Sequence, residues 1–166
     1  ALGCAIIHRP KILFLDEPTS GIDPISRRNF WDLIYQVASE GATVLVTTHY
    51  MDEAEHCDRL GLIYRGKLIA LGTPDELKGA YHGELLEVEC EPLMEGLEAL
   101  SQIPFVSDVA LFGALLHVTM PNLQTALPEI ESAFKQEKIK MLRVERIEPA
   151  LEDVFVSLIE AQENKP

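Results

Sequence analysis

Two adjacent carboxylates, Asp16 and Glu17, end the apolar run Ile12-Leu13-Phe14-Leu15, and a histidine, His49, ends a second run, Ala-Thr-Val-Leu-Val-Thr-Thr over 42–48. Delivering charge to the end of a buried strand is costly unless the charge has a partner or a task. Neighbouring side chains on a strand point opposite ways, so the two acids cannot do the same job. One can hold a hard cation through oxygen, with waters retained, as magnesium prefers. The other can face an attacking water. Pro18 fixes the backbone beyond the pair, so the chain leaves the strand in one direction. His49 can donate a hydrogen bond to a phosphate oxygen or sit as a satisfied rim residue. Asp23, immediately before Pro24, has the chemistry of a helix N-cap followed by proline in the first turn.

These residues need elements to position them. Residues 1–8 are helix-compatible, and Pro10 ends that helix. Lys11 to Asp16 is an unbroken apolar strand of the kind buried on both faces of a parallel sheet. The helix after Asp23 places Phe30, Leu33, Ile34 and Val37 on one face, and Gly41 stops it. The second strand, 42–48, completes a strand–helix–strand crossover. Chemistry in such sheets sits at the carboxyl ends of strands, which brings Asp16 and His49 to one rim. A short helix, Met51 to Cys57, follows, with Asp52 and Glu53 as solvated acids favoured by the helix dipole.

Leu60 to Tyr64 and Lys67 to Leu71 flank Arg65-Gly66 and predict a hairpin. The stretch Gly61 to Lys67 fits G-x-x-x-x-G-K, a phosphate-cradling pattern. Leu68 stands where that loop needs Ser or Thr, and the glycine leads into a strand instead of a helix, so the match is rejected. Thr73-Pro74-Asp75-Glu76 is a capping box for a helix to about Tyr81. His82-Gly83 is a plausible linker, giving a division into residues 1–83 and 84–166. The second part reads strand (85–90, alternating and half-exposed), helix (93–103), strand (106–112), strand (115–119), helix capped by Asn122, and strand (141–147). This β-α-β-β-α-β order is the ferredoxin-like arrangement. A last helix runs from Ala150 to about Ala161.

Among 166 residues, 27 are Asp or Glu against 14 Lys or Arg, a net charge of −13. The imbalance is concentrated in residues 84–166, with 6 basic and 16 acidic side chains against 8 and 11 in residues 1–83. Nucleic-acid affinity rests on basic side chains, so a nucleic-acid partner is excluded for the second part. No apolar run approaches the roughly 20 residues of a membrane span. Cys4, Cys57 and Cys90 lie too far apart for a disulfide framework, and the spacing of His56 and Cys57 suits no common zinc site.

The unit Leu-Asp-Glu-Pro-Thr-Ser-Gly-Ile-Asp-Pro over 15–24 resembles the extended Walker B motif and D-loop of the ABC ATPase family, with Ile22 where leucine is usual. Val-Thr-Thr-His over 46–49, followed by Met51-Asp52-Glu53-Ala54, resembles that family's H-loop. The resemblance covers residues 1–81 closely. Residues 84–160, ending Glu148-Pro149-Ala150-Leu151-Glu152-Asp153-Val154-Phe155, resemble the small C-terminal domain of bacterial drug and polysaccharide exporter ATPases. It implies a partial P-loop NTPase sheet followed by a small α+β accessory domain. By the same resemblance Asp16 positions Mg²⁺, Glu17 is the general base, His49 contacts the γ-phosphate of ATP, and Asp23 couples two nucleotide sites.

The implied partners are a separate membrane permease and a second ATPase domain, as homodimer or tandem half, with the protein cytoplasmic and peripheral on the membrane. Neither a Walker A loop nor a Leu-Ser-Gly-Gly signature lies within residues 1–166. Ala1-Leu2-Gly3 reads as the middle of a helix, which predicts a fragment inactive by itself. Two alternatives are a soluble non-transport ABC ATPase and a C-terminal ligand-binding module.

Overall fold

The computed structural model describes residues 2–163. They form two compact units, divided between Pro74 and Asp75.

In the first unit, helix α1 (Leu2–Ile6) precedes strand β1 (Ile12–Asp16), helix α2 (Pro24–Ser39), strand β2 (Thr43–Thr47) and the short helix α3 (Met51–Ala54). β1 and β2 pair in parallel, with Asp16 opposite Thr47. Alternation along each strand decides what is buried. Leu13 is buried with Phe30, Trp31 and Ile34 of α2, and Leu15, Val44 and Val46 pack against that cluster. On the other face Ile12, Phe14 and Leu45 are exposed. The unbroken apolar run predicted cover on both faces; the two-stranded sheet receives it on one.

Strands β3 (Leu60–Tyr64) and β4 (Lys67–Gly72) form a separate antiparallel hairpin with a register shift between Leu62 and Ile63. Arg65 and Gly66 both have positive φ, 48° and 74°. Two consecutive left-handed residues are the signature of the tight turn whose twist matches paired strands. The glycine–lysine match at Gly61 to Lys67 is therefore a hairpin turn.

Helix α4 (Pro74–Gly79) begins at the division, and the second unit continues with β5 (Glu84–Glu91), α5 (Leu93–Ser101), β6 (Asp108–Phe112), β7 (Leu115–Met120), α6 (Leu123–Gln136), β8 (Lys140–Ile147) and α7 (Leu151–Glu163). The sheet runs β6-β7-β5-β8, every neighbouring pair antiparallel. With helices after the first and third strands, this is the split-βαβ topology. Leu86, Val88 and Cys90 of β5 and Leu116, Val118 and Met120 of β7 share one closed core with Leu100, Ile103, Ala126, Ile130 and Phe134. β5 is thus more buried than its apolar–acidic alternation predicted, because it is central: β7 and β8 flank it. Its outward acids find partners, with Glu87 accepting a hydrogen bond from Arg143.

Candidate active site

The rim at the carboxyl ends of β1 and β2 brings Asp16, Glu17 and His49 together. Pairing of Asp16 with Thr47 lets the Thr47 hydroxyl donate to Asp16 Oδ1. The same hydroxyl accepts from the Glu17 N–H at 3.2 Å, and the Thr47 carbonyl accepts it at 3.0 Å. One threonine therefore ties down both the Asp16 carboxylate and the backbone of the next residue. Thr47 was missed by sequence reasoning; its signal is only the strand register, which pairing fixes.

Glu17 has φ = 42°. A bulky non-glycine residue in this region costs on the order of 1–3 kcal/mol, and such strain clusters at functional sites. The conformation swings the Glu17 side chain to His49, whose Nδ1 lies 3.3 Å from Glu17 Oε1, with both side chains about half exposed. The His49 ring packs on Tyr50, centroids 4.1 Å apart.

Asp23 sits beyond the turn that follows Glu17. Its Oδ1 accepts from the N–H groups of Ile25 and Ser26, each at 3.0 Å, and Oδ2 accepts from the Ser26 hydroxyl at 2.6 Å. The Ser26 hydroxyl and then its N–H hold the Asp23 carboxyl below the ordinary aspartate value of 3.8. These bonds make it the N-cap of α2. Gly21, at φ = 74°, supplies the turn. No hydrogen bond or ion pair joins the Asp23 side chain to Glu17 or His49 among the described residues.

Magnesium commonly binds one or two carboxylates, waters and substrate phosphates. Asp16 fits that pattern: it is exposed at a strand end, and among the described residues no donor engages its second oxygen. No group of three His, Cys, Asp or Glu side chains that could hold a metal occurs among those residues. His56 instead accepts or donates a hydrogen bond with the Tyr35 hydroxyl at 2.7 Å and stacks on Trp31.

Glu53 corrects a sequence expectation. It is 1% exposed, not solvated, whereas Asp52 is exposed as expected. Its Oε2 accepts from the Thr48 hydroxyl at 2.9 Å, and its Oε1 lies 3.2 Å from Arg27 Nε of α2, an ion-pair contact without hydrogen-bond geometry.

An α/β unit with a paired-carboxylate rim, joined to a split-βαβ unit, agrees with the comparisons. The chain belongs to the DrrA1-3-like ATP-binding proteins: the model of that family's C-terminal domain matches residues 72–159. The linearmycin resistance ATP-binding protein LnrL of Bacillus subtilis (strain 168) is 32% identical over 162 residues, 95% of this chain and 52% of that protein. The daunorubicin resistance ATP-binding protein DrrA3 of Streptomyces coeruleorubidus is 33% identical over 159 residues, covering 95% and 50%. The probable multidrug ABC transporter ATP-binding protein YbhF of Escherichia coli (strain K12) is 67% identical over 78 residues, 47% of this chain and 14% of that protein. The chain spans at most about half the length of these relatives. Among the described residues no helix is long and apolar enough to cross a membrane.

Proposed function

We propose that this chain carries the hydrolytic half of the nucleotide site of an ABC-type exporter ATPase. The observation that carries the reading is the strained Glu17, its N–H tied to Thr47 and its carboxylate 3.3 Å from His49 across two parallel strands. In this reading Glu17 takes a proton from the attacking water, and His49 orients against the γ-phosphate of ATP. Asp16 holds Mg²⁺, which when bound neutralises charge on the phosphate oxygens. Asp23 serves as N-cap of α2 and as a coupling residue toward a second ATPase domain, in a homodimer or tandem pair.

The sheet of the first unit is then part of a P-loop NTPase sheet, and residues 84–166 are an accessory domain. The partner is a membrane permease, which places the protein on the cytoplasmic face of the membrane. Relatives bearing the names of ABC transporter and drug resistance ATP-binding proteins support an exporter.

The phosphate-gripping loop and signature come from residues outside this chain. Calorimetric titration of the 166-residue chain with Mg-ATP is therefore expected to show weak binding only; micromolar affinity would contradict it. In the full-length protein, Glu17→Gln is expected to retain ATP binding and lower turnover by about 10²–10⁴-fold, the usual range of general-base catalysis. Wild-type turnover in that variant would remove Glu17 as the base.

A further inference from the structure

The turn that presents His49 is held from behind by a buried carboxylate, Glu53, paired with the half-buried Arg27. Glu53 is 1% exposed. A carboxylate so enclosed carries a desolvation cost of several kcal/mol unless charge and hydrogen bonds compensate it. Two groups reach it, the Thr48 hydroxyl and the Arg27 guanidinium. The Thr48 hydroxyl donates to Glu53 Oε2 at 2.9 Å and accepts from the Tyr50 N–H at 3.0 Å. His49 is thus bracketed by two residues that share one hydroxyl, and that hydroxyl is anchored on Glu53. Arg27 supplies the counter-charge, 3.2 Å from Glu53 Oε1 and 3.5 Å from Asp52 Oδ2.

Arg27 reaches His49 by a second route. Its guanidinium lies over the Tyr50 ring, 4.8 Å from the centroid, and that ring packs on His49. Its own N–H donates to the Asp23 carbonyl at 2.9 Å, in the first turn of α2. A planar guanidinium can meet a carboxylate at its edge and an aromatic ring on its face at once, which an ammonium cannot reproduce.

We propose that Arg27 and Glu53 are positioning residues for His49, linking the Asp23-capped start of α2 to the Thr48–Tyr50 turn. This rests on the reading of Glu17 and His49 given above. They touch no reacting atom; their effect passes through the orientation of the imidazole.

The test uses the full-length protein and steady-state ATPase kinetics of Arg27→Lys, Glu53→Gln, Thr48→Val and His49→Ala. Thr48→Val preserves shape and burial, so it carries the test if Glu53→Gln does not fold. Misplacement of a group by about 1 Å can cost on the order of 10²-fold. The three positioning variants are expected to lower kcat by about 10- to 10²-fold, with the KM for ATP within about two-fold of the parent. A purely structural role would lower the folded fraction and leave kcat per folded molecule unchanged. A second readout does not depend on activity: the nuclear Overhauser contact between the His49 and Tyr50 rings is expected to be lost in Thr48→Val.

Parent-like kcat in folded Thr48→Val and Glu53→Gln, with His49→Ala impaired, would overturn this inference alone. So would an intact His49–Tyr50 contact in Thr48→Val. Parent-like turnover in His49→Ala would instead overturn the reading of the site, and this inference with it.

Discussion

The two units solve the burial problem differently. In the first, the parallel pair β1–β2 covers one face with α2 and leaves Phe14 72% and Leu45 55% exposed on the other. In the second, Val88, Leu116, Val118 and Ile130 are fully buried in a core shared by the sheet and helices α5 and α6. The open unit carries the strained Glu17, the His49 contact and the paired carboxylates. The closed unit holds buried polar side chains in pairs, such as His117 Nδ1 with Asp153 Oδ1 at 2.6 Å. A parallel strand with apolar residues on both faces calls for cover on both. An exposed apolar patch beside a rim of polar groups is the mark of an interaction surface. The contrast therefore separates a unit with one covered sheet face from a unit with a closed core.

The largest expected effect tests that contrast directly. Leu116→Ala should cost about 2–5 kcal/mol, the usual range for emptying a core leucine site. Phe14→Ser, on the open face, should stay within about 0.5 kcal/mol, as for other surface changes. Urea unfolding of the 166-residue chain measures both, and equal costs would break the comparison.

A smaller effect sharpens the closed side. A Cβ at Gly96 of α5 would overlap Cys90 Sγ, with Leu116 and Phe134 also in contact range. Gly96→Ala should therefore destabilise by about 1–3 kcal/mol, the cost of overpacking, although alanine is the better helix former by up to about 1 kcal/mol. A stabilised variant would show a core looser than its burial indicates.

The smallest effects are pH-dependent and opposite in sign. Ser26 holds the Asp23 carboxyl low in the folded state, so its contribution is present above the unfolded value and lost as pH falls through the folded one. Asp23→Ala should destabilise at pH 7, and the difference should fade in acid. Glu160 of α7 is raised above its ordinary value of 4.5, chiefly by burial and then by Asp108. The stability linked to its protonated form is complete below that value and lost as pH rises through the folded one. Glu160→Gln should therefore raise the midpoint slightly at pH 7 and not at pH 4. Unfolding midpoints across pH 3–7 check both.

Local chemistry made much of this legible in sequence. Apolar runs ended by acids marked β1, Asp23-Pro24 marked the start of α2, and Arg65-Gly66 marked the hairpin, because strand periodicity, capping and turn conformation depend on residues close in the chain. The order of elements in the second unit was equally plain. Three things were not: the exposed face of β1–β2, the burial of Glu53, and the part played by Thr47. Glu53 follows an acid in a helix of one turn, where the dipole favours solvated carboxylates; only Arg27, distant in sequence, and the Thr48 hydroxyl make its burial possible.

The sequence by itself determined which residues stand at strand ends and helix starts, since those depend on periods of two and 3.6 and on nearest neighbours. Only the tertiary structure decided that Thr47 joins Asp16 to Glu17, that Glu17 turns to meet His49, and that Arg27 pairs with the buried Glu53 behind them. Those are contacts between segments separated along the chain, and their geometry depends on strand register and packing, which no local pattern encodes.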